Sequence, residues 1–563
     1  MQYFAGRANR GAVPTLLSQD ERTFYRDLFG AIAASQWAKV QQLFAQRPAG
    51  PLHQAAQAEY FLAPGSPKIE LDALNAWLAQ GTQLPQSDRI LALAQKRGAT
   101  VLPALPRANS FVSVSSRARR ERPREASDGT MPGAVGAAIQ RKIKDDDPAG
   151  AKALLDGIDS QLSAGARAEW RSKVAWSFYI ENDDPSAYAL GLTAQNGAGP
   201  WVPEGLWIAG LSAWRMADCM GAADAFARTA QLSANPELTA AAHYWQSRAL
   251  VRCRMPEKAA EPLRKAARMD ETLYGMLAAE QLGMDLPKTH EAPDFSNADW
   301  QMLRDVGNVR AAVALDEIGQ NSLADEVLRH QARIGAPQQF QAISRLARAL
   351  GTPSTQLWMA YNVPAGTRPE PAARFPTPRW TPVTGWKVDP ALVYAHTLQE
   401  SVFRTSVVSP AGARGLMQIM PAAARDHAAS LGVSGNASDL NKPEVNLAFG
   451  QKHLHMLRDS PGTQGLLPKV MAAYNAGLTP VTRWNSEIKD QGDPLLWIES
   501  VPYWETRGYV NIVLRNYWMY ERQAGGPSES RMALTQGMWP MFPGLNGSIA
   551  VRMRPDGTID RGR

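Results

Sequence analysis

The chain has 563 residues, of which 45% are hydrophobic and 20% are charged, and this composition is typical of a globular protein long enough for several domains. Its net charge of +7 favours an anionic partner. No basic stripe with interleaved aromatic residues is present, so we predict that nucleic acid is not that partner. No run of 18 or more apolar residues is present, so we also predict no membrane span.

The first hundred residues carry the pattern of amphipathic helices. Apolar side chains recur at helical spacing in residues 20–46, 52–62, 71–78 and 87–96. We therefore assign residues 1–102 to a first helical part of the chain. The stretch at its start, MQYFAGRANRGAVP, lacks the apolar core of a secretory signal, so either the protein stays inside the cell or the sequence begins after a cleavage site.

Residues 103–133 interrupt the helical pattern and are rich in Ser, Pro and Arg. This composition predicts a flexible, solvated loop, because such a segment has little apolar surface to bury. The alternative is an anchor for an anionic surface or an acidic partner. That alternative rests on five neighbouring arginines, Arg117, Arg119, Arg120, Arg122 and Arg124.

Helical patterning returns over residues 134–351 as an internal repeat. Trp207 is matched by Tyr244 at a distance of 37 positions, and the same distance relates Ala222, Ala223, Phe226 and Ala230 to Ala259, Ala260, Leu263 and Ala267. Two visible copies of this pattern predict stacked helical hairpins, each of which buries its apolar face against the next. The only cysteines, Cys219 and Cys253, lie about one repeat apart, and a disulfide and two buried thiols are equally compatible with that spacing.

Three segments complete the chain. Residues 352–386 contain seven prolines, which predicts an extended linker. Residues 387–523 show helical patterns again and are predicted to form a second domain. Residues 524–563 are a tail rich in Gly, Pro and Met, and the sequence leaves open whether this tail packs on the body or stays mobile.

One glutamate, Glu400, stands at the end of a predicted helix. Asp389 is a suitable N-cap for that helix, and Pro390 suits its first position. Leu392, His396, Gln399 and Glu400 fall on one face of it. A glutamate at a helix end is more often a solvated surface residue. A carboxyl group buried among Met and Tyr side chains, however, keeps its proton above its usual pKa and can act as a general acid.

Three further blocks follow Glu400 and Ser401 along the chain. They are GLMQIMP at residues 415–421, AYNAG at residues 473–477 and IESVPYWETRGYV at residues 498–510. AYNAG ends a short apolar helix that Gly477 stops, and a longer helix is predicted from Trp504 to Arg522. These blocks, in this order, resemble the soluble lytic murein transglycosylases. The stretch LYGMLAAEQLG at residues 273–283 resembles the same family.

The resemblance implies a mainly α fold, in which a ring-like superhelix of helical hairpins is followed by a lysozyme-like α catalytic domain at residues 387–523. It also implies that Glu400 is the sole catalytic acid and base. No metal and no cofactor are implied. The residues that it implies for substrate binding are Ser401, Ser409, Gln418, Met420, Tyr474, Asn475 and Glu499.

The resemblance further implies the reaction. Glu400 would protonate the β-1,4 glycosidic oxygen between N-acetylmuramic acid and N-acetylglucosamine in peptidoglycan, and a 1,6-anhydromuramyl end would form. Because peptidoglycan lies outside the cytoplasmic membrane, we expect a periplasmic protein whose signal has been removed. The implied partners are glycan strands, and proteins of cell-wall synthesis or of secretion are further candidates.

Two alternatives remain open at this stage. The first is a lysozyme-like hydrolase that admits water to the same cleft and leaves a reducing end. The second is a helical scaffold that binds the cell wall without catalysis. Ordinary glycosidases use a pair of carboxylates, which would suggest Glu499 as a second catalytic group. The resemblance implies instead that this glutamate binds substrate or shapes the cleft, and we follow the resemblance.

Overall fold

A computed structural model describes residues 11–114, 119–284, 293–545 and 547–560 of the chain. Helices form most of the described residues, which confirms the predicted mainly α class. The chain divides into two compact units, and each contains more than one segment of sequence. The first unit comprises Met1–Ser116, Lys288–Trp380 and Val402–Arg404, and the second comprises Arg117–Pro287, Thr381–Ser401 and Thr405–Arg563. None of the described helices is both long enough and apolar enough to span a membrane.

The described α-helices are numbered here in chain order. The first fourteen are α1 (Gln19–Ala33), α2 (Trp37–Gln46), α3 (His53–Leu62), α4 (Leu71–Ala79), α5 (Ser87–Lys96), α6 (Gly133–Lys144), α7 (Pro148–Asp156), α8 (Ala164–Ile180), α9 (Asp184–Thr193), α10 (Val202–Arg215), α11 (Cys219–Leu232), α12 (Pro236–Arg252), α13 (Pro256–Ala267) and α14 (Leu273–Gln281). The others are α15 (Asn297–Leu303), α16 (Gly307–Glu317), α17 (Asn321–Ile334), α18 (Phe340–Leu350), α19 (Pro353–Tyr361), α20 (Pro390–Glu400), α21 (Pro421–Leu431), α22 (Pro443–Arg458), α23 (Leu467–Ala476), α24 (Leu478–Glu487), α25 (Pro494–Ser500), α26 (Trp504–Gln523) and α27 (Glu529–Thr535).

Five short strands accompany these helices. In the first unit β1 (Phe111–Ser113) pairs antiparallel with β2 (Asn362–Pro364), so that Val112 lies opposite Val363. In the second unit β3 (Trp539–Pro540), β4 (Ala550–Met553) and β5 (Ile559–Asp560) form an antiparallel sheet in that order. The strands therefore join segments that are distant in sequence or fold the tail back on itself.

The first unit corrects three predictions about its segments. Residues 20–46 form two helices instead of one, because Ser35 adopts a left-handed φ of 55° that ends α1. The proline-rich segment 352–386 is not simply extended, since it contains α19 and β2 and buries Met359 and Val363 in the core. The flexible loop predicted at residues 103–133 likewise includes a paired strand, β1.

Helices α6–α14 of the second unit confirm the predicted helical hairpins. Asp146, Asn182, Ala217 and Arg254 all adopt left-handed φ values between 56° and 63°, and each lies between two helices. They recur at intervals of 35 to 37 residues, so the repeat seen twice in the sequence has four such turns in the structure. In three of the turns the residue that follows is an aspartate, and its side chain caps the next helix. These caps are Asp147, Asp183 and Asp218.

A disulfide joins two neighbouring hairpin helices. Cys219 is the first residue of α11, and Cys253 directly follows α12. Their Cα atoms lie 5.5 Å apart, and the bond closes a sequence separation of 34 residues. The structure therefore resolves the open alternative in favour of the disulfide.

Residues 387–523 and the tail form one packed body in the second unit. Helix α20 packs against α26, and α23 packs against α26 as well. The tail also belongs to this body, because Trp539 Nε1 donates a 2.9 Å hydrogen bond to the carbonyl of Gly492. The backbone N–H of Phe542 donates to the carbonyl of Gly465 at 2.8 Å. The tail therefore packs on the body, which answers the question that the sequence left open.

The arginine-rich segment is anchored through one buried residue, Arg120, so the prediction of a solvated loop is wrong there. Only 8% of its side chain is exposed, and its guanidinium donates to Glu204 at 2.6 Å and to Glu499 at 3.2 Å. It also lies over the rings of Trp207 and Trp504. Sequence composition predicted exposure, but two carboxylates from distant helices compensate the buried charge. Arg117 lies outside the described residues.

Candidate active site

Helix α20 carries Glu400 as its last residue, and the start of this helix is fixed as predicted. The side chain of Asp389 accepts a 3.0 Å hydrogen bond from the backbone N–H of Ala391, and Pro390 occupies the first turn. The side chain of Asp389 is fixed by a second hydrogen bond, because the hydroxyl of Tyr517 donates to its Oδ2 at 2.8 Å. All residues from Pro390 to Leu398 are buried, so the helix brings its final carboxylate to the edge of the core.

Glu400 is half-buried and receives one short hydrogen bond. The hydroxyl of Tyr509, on α26, donates to its Oε1 at 2.6 Å. Burial raises the pKa of Glu400 to about 7; the hydrogen bond from Tyr509 opposes this rise, and the charge of Glu505 adds to it. A large fraction of the group therefore keeps its proton near neutral pH, as a general acid requires. Among the described residues, Oε2 of the same carboxyl group has no hydrogen-bond partner.

A fully buried histidine continues this hydrogen-bond chain. His396 Nδ1 lies 2.8 Å from the hydroxyl oxygen of Tyr509. Because that hydroxyl donates to Glu400, its oxygen accepts from Nδ1, and His396 is assigned the tautomer that carries its proton there. Burial and the nearby His453 lower the pKa of His396 to about 3, so its ring is neutral. The hydrogen bonds from His396 to Tyr509 and from Tyr509 to Glu400 therefore place no positive charge near the acid.

Tyr474 connects three of the sequence blocks. Its hydroxyl donates a 2.7 Å hydrogen bond to the carbonyl of Met417, in GLMQIMP. Its ring lies parallel to that of Tyr509 at 6.4 Å between centroids and 4.6 Å from the ring of His396. The aromatic rings next to Glu400 therefore also position the loop that precedes α21.

The side chains of Gln418 and Ser409 form hydrogen bonds with the backbone of that loop. Gln418 adopts a left-handed φ of 50°, and its Nε2 donates to the carbonyl of Gly415 at 2.8 Å. Its amide oxygen has no hydrogen-bond partner within the described ranges and is thus available to a donor from a ligand. Ser409 Oγ accepts a 3.0 Å hydrogen bond from the N–H of Ala413, so this hydroxyl closes the turn of the loop.

The remaining residues that the resemblance implied occupy different environments. Met420 is 45% exposed and precedes α21, where its side chain is accessible. Asn475 ties the end of α23 to α26, because its Oδ1 accepts from the hydroxyl of Thr506 at 2.6 Å. Ser401 is 1% exposed, and its hydroxyl donates to the carbonyl of Thr397 at 3.1 Å. Ser401 and Asn475 therefore stabilise the ends of helices that frame the site.

Glu499, another residue that the resemblance implied for substrate binding, is buried in the interior of the second unit. Only 1% of it is exposed. Its carboxylate accepts a 2.8 Å hydrogen bond from the hydroxyl of Tyr274 and forms the ion pair with Arg120. Both oxygens are thus used inside the protein, which disfavours a substrate contact and agrees with a single catalytic acid; the substrate contact of Glu499 stays a prediction.

Two residues of the site received no role from the sequence. His396 lies on the predicted face of α20 with Glu400, four positions before it, and Tyr509 lies on the apolar side of α26. Both patterns were compatible with simple core packing. The only available signal was the polar side chain of His396 one helical turn before Glu400. Within the described residues, no group of three or more His, Cys, Asp or Glu side chains is placed to bind a metal ion.

Comparison with known proteins identifies the family. Residues 383–496 match the family model of the transglycosylase SLT domain. The soluble lytic murein transglycosylase of Escherichia coli (strain K12) is 34% identical over 155 residues, which are 27% of this chain and 24% of that protein. The endo-type membrane-bound lytic murein transglycosylase A of Klebsiella pneumoniae (strain 342) is 36% identical over 141 residues, which are 23% of this chain and 70% of that protein. The chain belongs to the lytic murein transglycosylase family.

Solved structures of soluble lytic transglycosylases share the fold. The 70 kDa soluble lytic transglycosylase from Escherichia coli superposes with a TM-score of 0.56 at 17% identity, over 93% of this chain and 100% of that one. An inactive mutant of the lytic transglycosylase Slt from Pseudomonas aeruginosa, in which a glutamate is replaced by glutamine, gives a TM-score of 0.52 at 19% identity, over 90% and 87% of the two chains. The predicted fold, a helical superhelix with a lysozyme-like α domain, is thereby confirmed. By sequence, the chain spans about a quarter of the length of the E. coli relative that it matches.

Proposed function

We propose that this protein is a peptidoglycan lytic transglycosylase that cleaves the β-1,4 bond between N-acetylmuramic acid and N-acetylglucosamine, with Glu400 as its only general acid and base. The observation that carries the proposal is the raised pKa of about 7 of Glu400, together with the 2.6 Å hydrogen bond from Tyr509 to its Oε1. A group that titrates near neutral pH can both donate and accept a proton during one turnover.

The hydrogen bond from Tyr509 selects the reactive oxygen. Since Oε1 accepts from the tyrosine hydroxyl, the proton of the neutral acid is carried by Oε2. Oε2 has no partner among the described residues and is the atom that meets the glycosidic oxygen. Tyr509 is thus a positioning residue, and His396 in turn orients the hydroxyl of Tyr509.

The proposed reaction needs no second titrating group. Glu400 protonates the glycosidic oxygen, the C1–O bond of the muramyl residue breaks, and N-acetylglucosamine leaves with its new hydroxyl. The ionised Glu400 then accepts the proton of the muramyl C6 hydroxyl, whose oxygen forms the bond to C1. The product is the 1,6-anhydromuramyl end, Glu400 regains its proton, and no water is consumed.

Two further observations support this single-acid scheme. The carboxylate of Glu499 is engaged by Arg120 and Tyr274, which leaves it unable to serve as the second group of an ordinary glycosidase. In addition, replacement of a glutamate by glutamine gives an inactive protein in the lytic transglycosylase from Pseudomonas aeruginosa. The hydrolase alternative differs only in the admission of water, so the two reactions are distinguished by the chemical structure of their products.

The proposal also covers the cellular compartment and the binding partners of the protein. The disulfide between Cys219 and Cys253 supports an oxidising compartment such as the periplasm, where peptidoglycan is found. We further propose that the helical hairpins contact glycan strands and leave the chemistry to Glu400. Proteins of cell-wall synthesis or of secretion are further proposed partners.

Mass spectrometry of products from purified peptidoglycan tests the proposal. The expected muropeptides are lighter by one water than reducing-end products, and Glu400→Gln is expected to form none while it still binds the wall. Glu505→Gln is the matched control, because Glu505 is an exposed acid that influences Glu400 only through its charge; this variant should retain turnover. Reducing-end products would establish the hydrolase, and absence of any product would leave the wall-binding scaffold.

A further inference from the structure

A series of side-chain hydrogen bonds connects the tail to the start of helix α20. Ser528, directly before α27, donates a hydrogen bond to Oε2 of Glu521 on α26. Glu521 is also hydrogen-bonded to the hydroxyl of Tyr517, one helical turn before it. That hydroxyl donates to Asp389 Oδ2 at 2.8 Å, and Asp389 is the N-cap of α20. These four residues therefore lead from the tail to the helix that ends at Glu400.

The members of this series are shielded from solvent. Ser528 is 2% exposed and Tyr517 is 4% exposed, while Glu521 and Asp389 are half-buried. Two carboxyl groups thus share one tyrosine hydroxyl in surroundings where charges are screened less than in water. The hydrogen bonds of such a series depend on the number of protons that it holds.

The number of protons is decided by Glu521. The hydroxyl of Tyr517 has one proton and donates it to Asp389, so its oxygen can accept a proton from Glu521 but cannot supply a second one. Neutral Glu521 provides this proton and completes the series. Ionised Glu521 has none to give and instead competes with Asp389 for the proton of the tyrosine.

The surroundings of Glu521 place its titration near neutral pH. Burial raises the pKa of Glu521 to about 7; the hydrogen bond from Ser528 opposes this rise, and the charge of Asp389 adds to it. The hydrogen bond with Tyr517 and the charge of Arg531 lower the pKa as well. Among the described residues, these are the groups that act on Glu521 from α20, α26 and the tail.

Arg531 does not form an ion pair with Glu521, because it is engaged elsewhere. Its Nε donates a 2.8 Å hydrogen bond to Glu280 on α14, and the two side chains form an ion pair. Glu521 is therefore mostly neutral below about pH 7 and mostly ionised above it. The series is complete in the first state and one proton short in the second.

We infer that Glu521 is a positioning residue for Glu400 and that Ser528 makes the tail part of the support of the proposed active site. Neutral Glu521 keeps the hydroxyl of Tyr517 on the N-cap of α20, so the first turn of this helix stays fixed. Ionised Glu521 loosens the cap, because it attracts the same hydroxyl proton. The inference rests on the proposed function for the role of Glu400, and it adds control of that acid by pH and by the tail.

The other end of α20 is fixed by a separate bond, in which the hydroxyl of Tyr509 donates to Glu400 at 2.6 Å. Tyr509 and Tyr517 both belong to α26, so the two bonds together set the position of α20 against α26. Displacement of a catalytic group by about 1 Å can lower a rate about 100-fold. Partial loosening at one end of α20 is therefore expected to lower kcat severalfold and to leave KM unchanged.

Two serines of the tail provide a matched comparison. Ser528 donates to Glu521, whereas Ser530 accepts a 2.8 Å hydrogen bond from Nε1 of Trp518 on the same helix. Both serines are buried, but Trp518 is not a member of the series that reaches α20. At pH 6, Ser528→Ala is expected to lower kcat about threefold with unchanged KM, and Ser530→Ala should leave both constants unchanged. An equal loss in both variants, or no loss in Ser528→Ala, would overturn the inference.

Glu521→Gln separates the effect of protonation from that of packing. The amide has nearly the shape of the acid and can donate to the oxygen of Tyr517 at every pH, as the neutral acid does. The ratio of kcat in Glu521→Gln to kcat in the unaltered protein is expected to be near one at pH 5.5 and about three at pH 8. Titration of Glu400 is common to both proteins and cancels in this ratio. A ratio that does not change with pH would overturn the inference.

Hydrogen–deuterium exchange tests the inference without any turnover. At pH 6, the backbone amides of α20 are expected to exchange about fivefold faster in Glu521→Ala and in Ser528→Ala than in the unaltered protein. Exchange in Ser530→Ala should be unchanged. If Glu521→Ala does not fold, the two serine variants carry the test, and equal exchange of α20 in both would overturn the inference.

The mass of the peptidoglycan products keeps this inference apart from the proposed reaction. Anhydro products together with equal exchange of α20 in the two serine variants would refute this inference alone. Faster exchange in Ser528→Ala, and not in Ser530→Ala, without any anhydro product would refute the proposed reaction alone and leave the coupling between the tail and α20.

Discussion

The hydroxyl of Tyr509 and Oε1 of Glu400 are joined by a 2.6 Å hydrogen bond between α26 and α20. This bond opposes the effect of burial, because it stabilises the charged carboxylate and lowers the pKa of Glu400. It also leaves Oε2 as the oxygen that carries the proton. The relationship therefore controls both the acidity and the geometry of the proposed acid.

Replacement of Tyr509 by phenylalanine is expected to shift the alkaline limb of the pH–rate profile upward by about one pH unit. A hydrogen bond to a charged group contributes about 1.5–3 kcal/mol, and one unit of pKa corresponds to about 1.4 kcal/mol. We also expect kcat to fall about tenfold, because the proton would no longer be confined to Oε2. Initial rates of anhydro-product release between pH 5 and 9 measure both effects. Tyr503→Phe, at an exposed tyrosine directly before the same helix, is the matched control, and an unmoved alkaline limb in Tyr509→Phe would contradict the prediction.

Glu400→Gln is expected to stabilise the protein at alkaline pH. The pKa of Glu400 is about 7 in the folded chain against an ordinary 4.5, so between these values the folded chain holds a proton that the unfolded chain has released. The contribution of Glu400 to stability is thus full below about pH 4.5 and is lost as pH rises through 7, by up to about 3 kcal/mol. Urea midpoints of the two proteins should agree at pH 5 and diverge at pH 8. A difference that does not depend on pH would count against the raised pKa.

Loss of the Glu499 carboxylate is expected to affect stability and not substrate affinity. Glu499→Gln removes the charge that faces Arg120, and breaking a buried pair from one side typically costs about 3–5 kcal/mol. The unfolding midpoint should fall, while KM for peptidoglycan should be unchanged. Glu505→Gln provides an exposed acid for comparison. An unchanged midpoint with a raised KM would return Glu499 to the substrate cleft.

The disulfide is expected to stabilise the helical hairpins. For the separation of 34 residues between Cys219 and Cys253, the chain-entropy relation gives about 3–4 kcal/mol. Cys219→Ser with Cys253→Ser, or treatment with a reductant, should lower the urea midpoint to a similar extent. Thiol titration of the denatured, unreduced protein checks the premise, since two reactive thiols would exclude the bond.

The sequence predicted the local elements of this protein better than its long-range contacts. The helix predicted at residues 87–96 has those bounds in the structure, and the one predicted from Trp504 ends one residue later than expected. Apolar periodicity and capping residues are local signals, so they mark such boundaries directly. Ser35 was not anticipated, because nothing in its neighbours announces a left-handed residue within an amphipathic pattern.

The buried ion pairs and hydrogen bonds of the second unit could not be predicted from local sequence patterns. Arg120 and Glu499 are 379 positions apart. Composition predicted that Arg120 is solvated, and the family resemblance placed Glu499 in a cleft. The candidate active site shows the same difference between local signals and long-range contacts. Glu400 was identified from its block, but the role of Tyr509 follows from a contact between residues 109 positions apart. Such pairings depend on the packed fold and have no counterpart in composition or spacing.

Helix α26 holds both ends of α20, through Tyr517 at Asp389 and through Tyr509 at Glu400. The two tyrosines are eight positions apart, and one inserted residue between them would rotate one of them by about 100° around the helix axis. Relatives of this protein are therefore expected to vary in the length of the loops between these helices, yet to keep the spacing inside each helix. Loop insertions would lengthen the cleft without moving the acid, so this pair of helices is a suitable fixed frame for grafting new saccharide specificities.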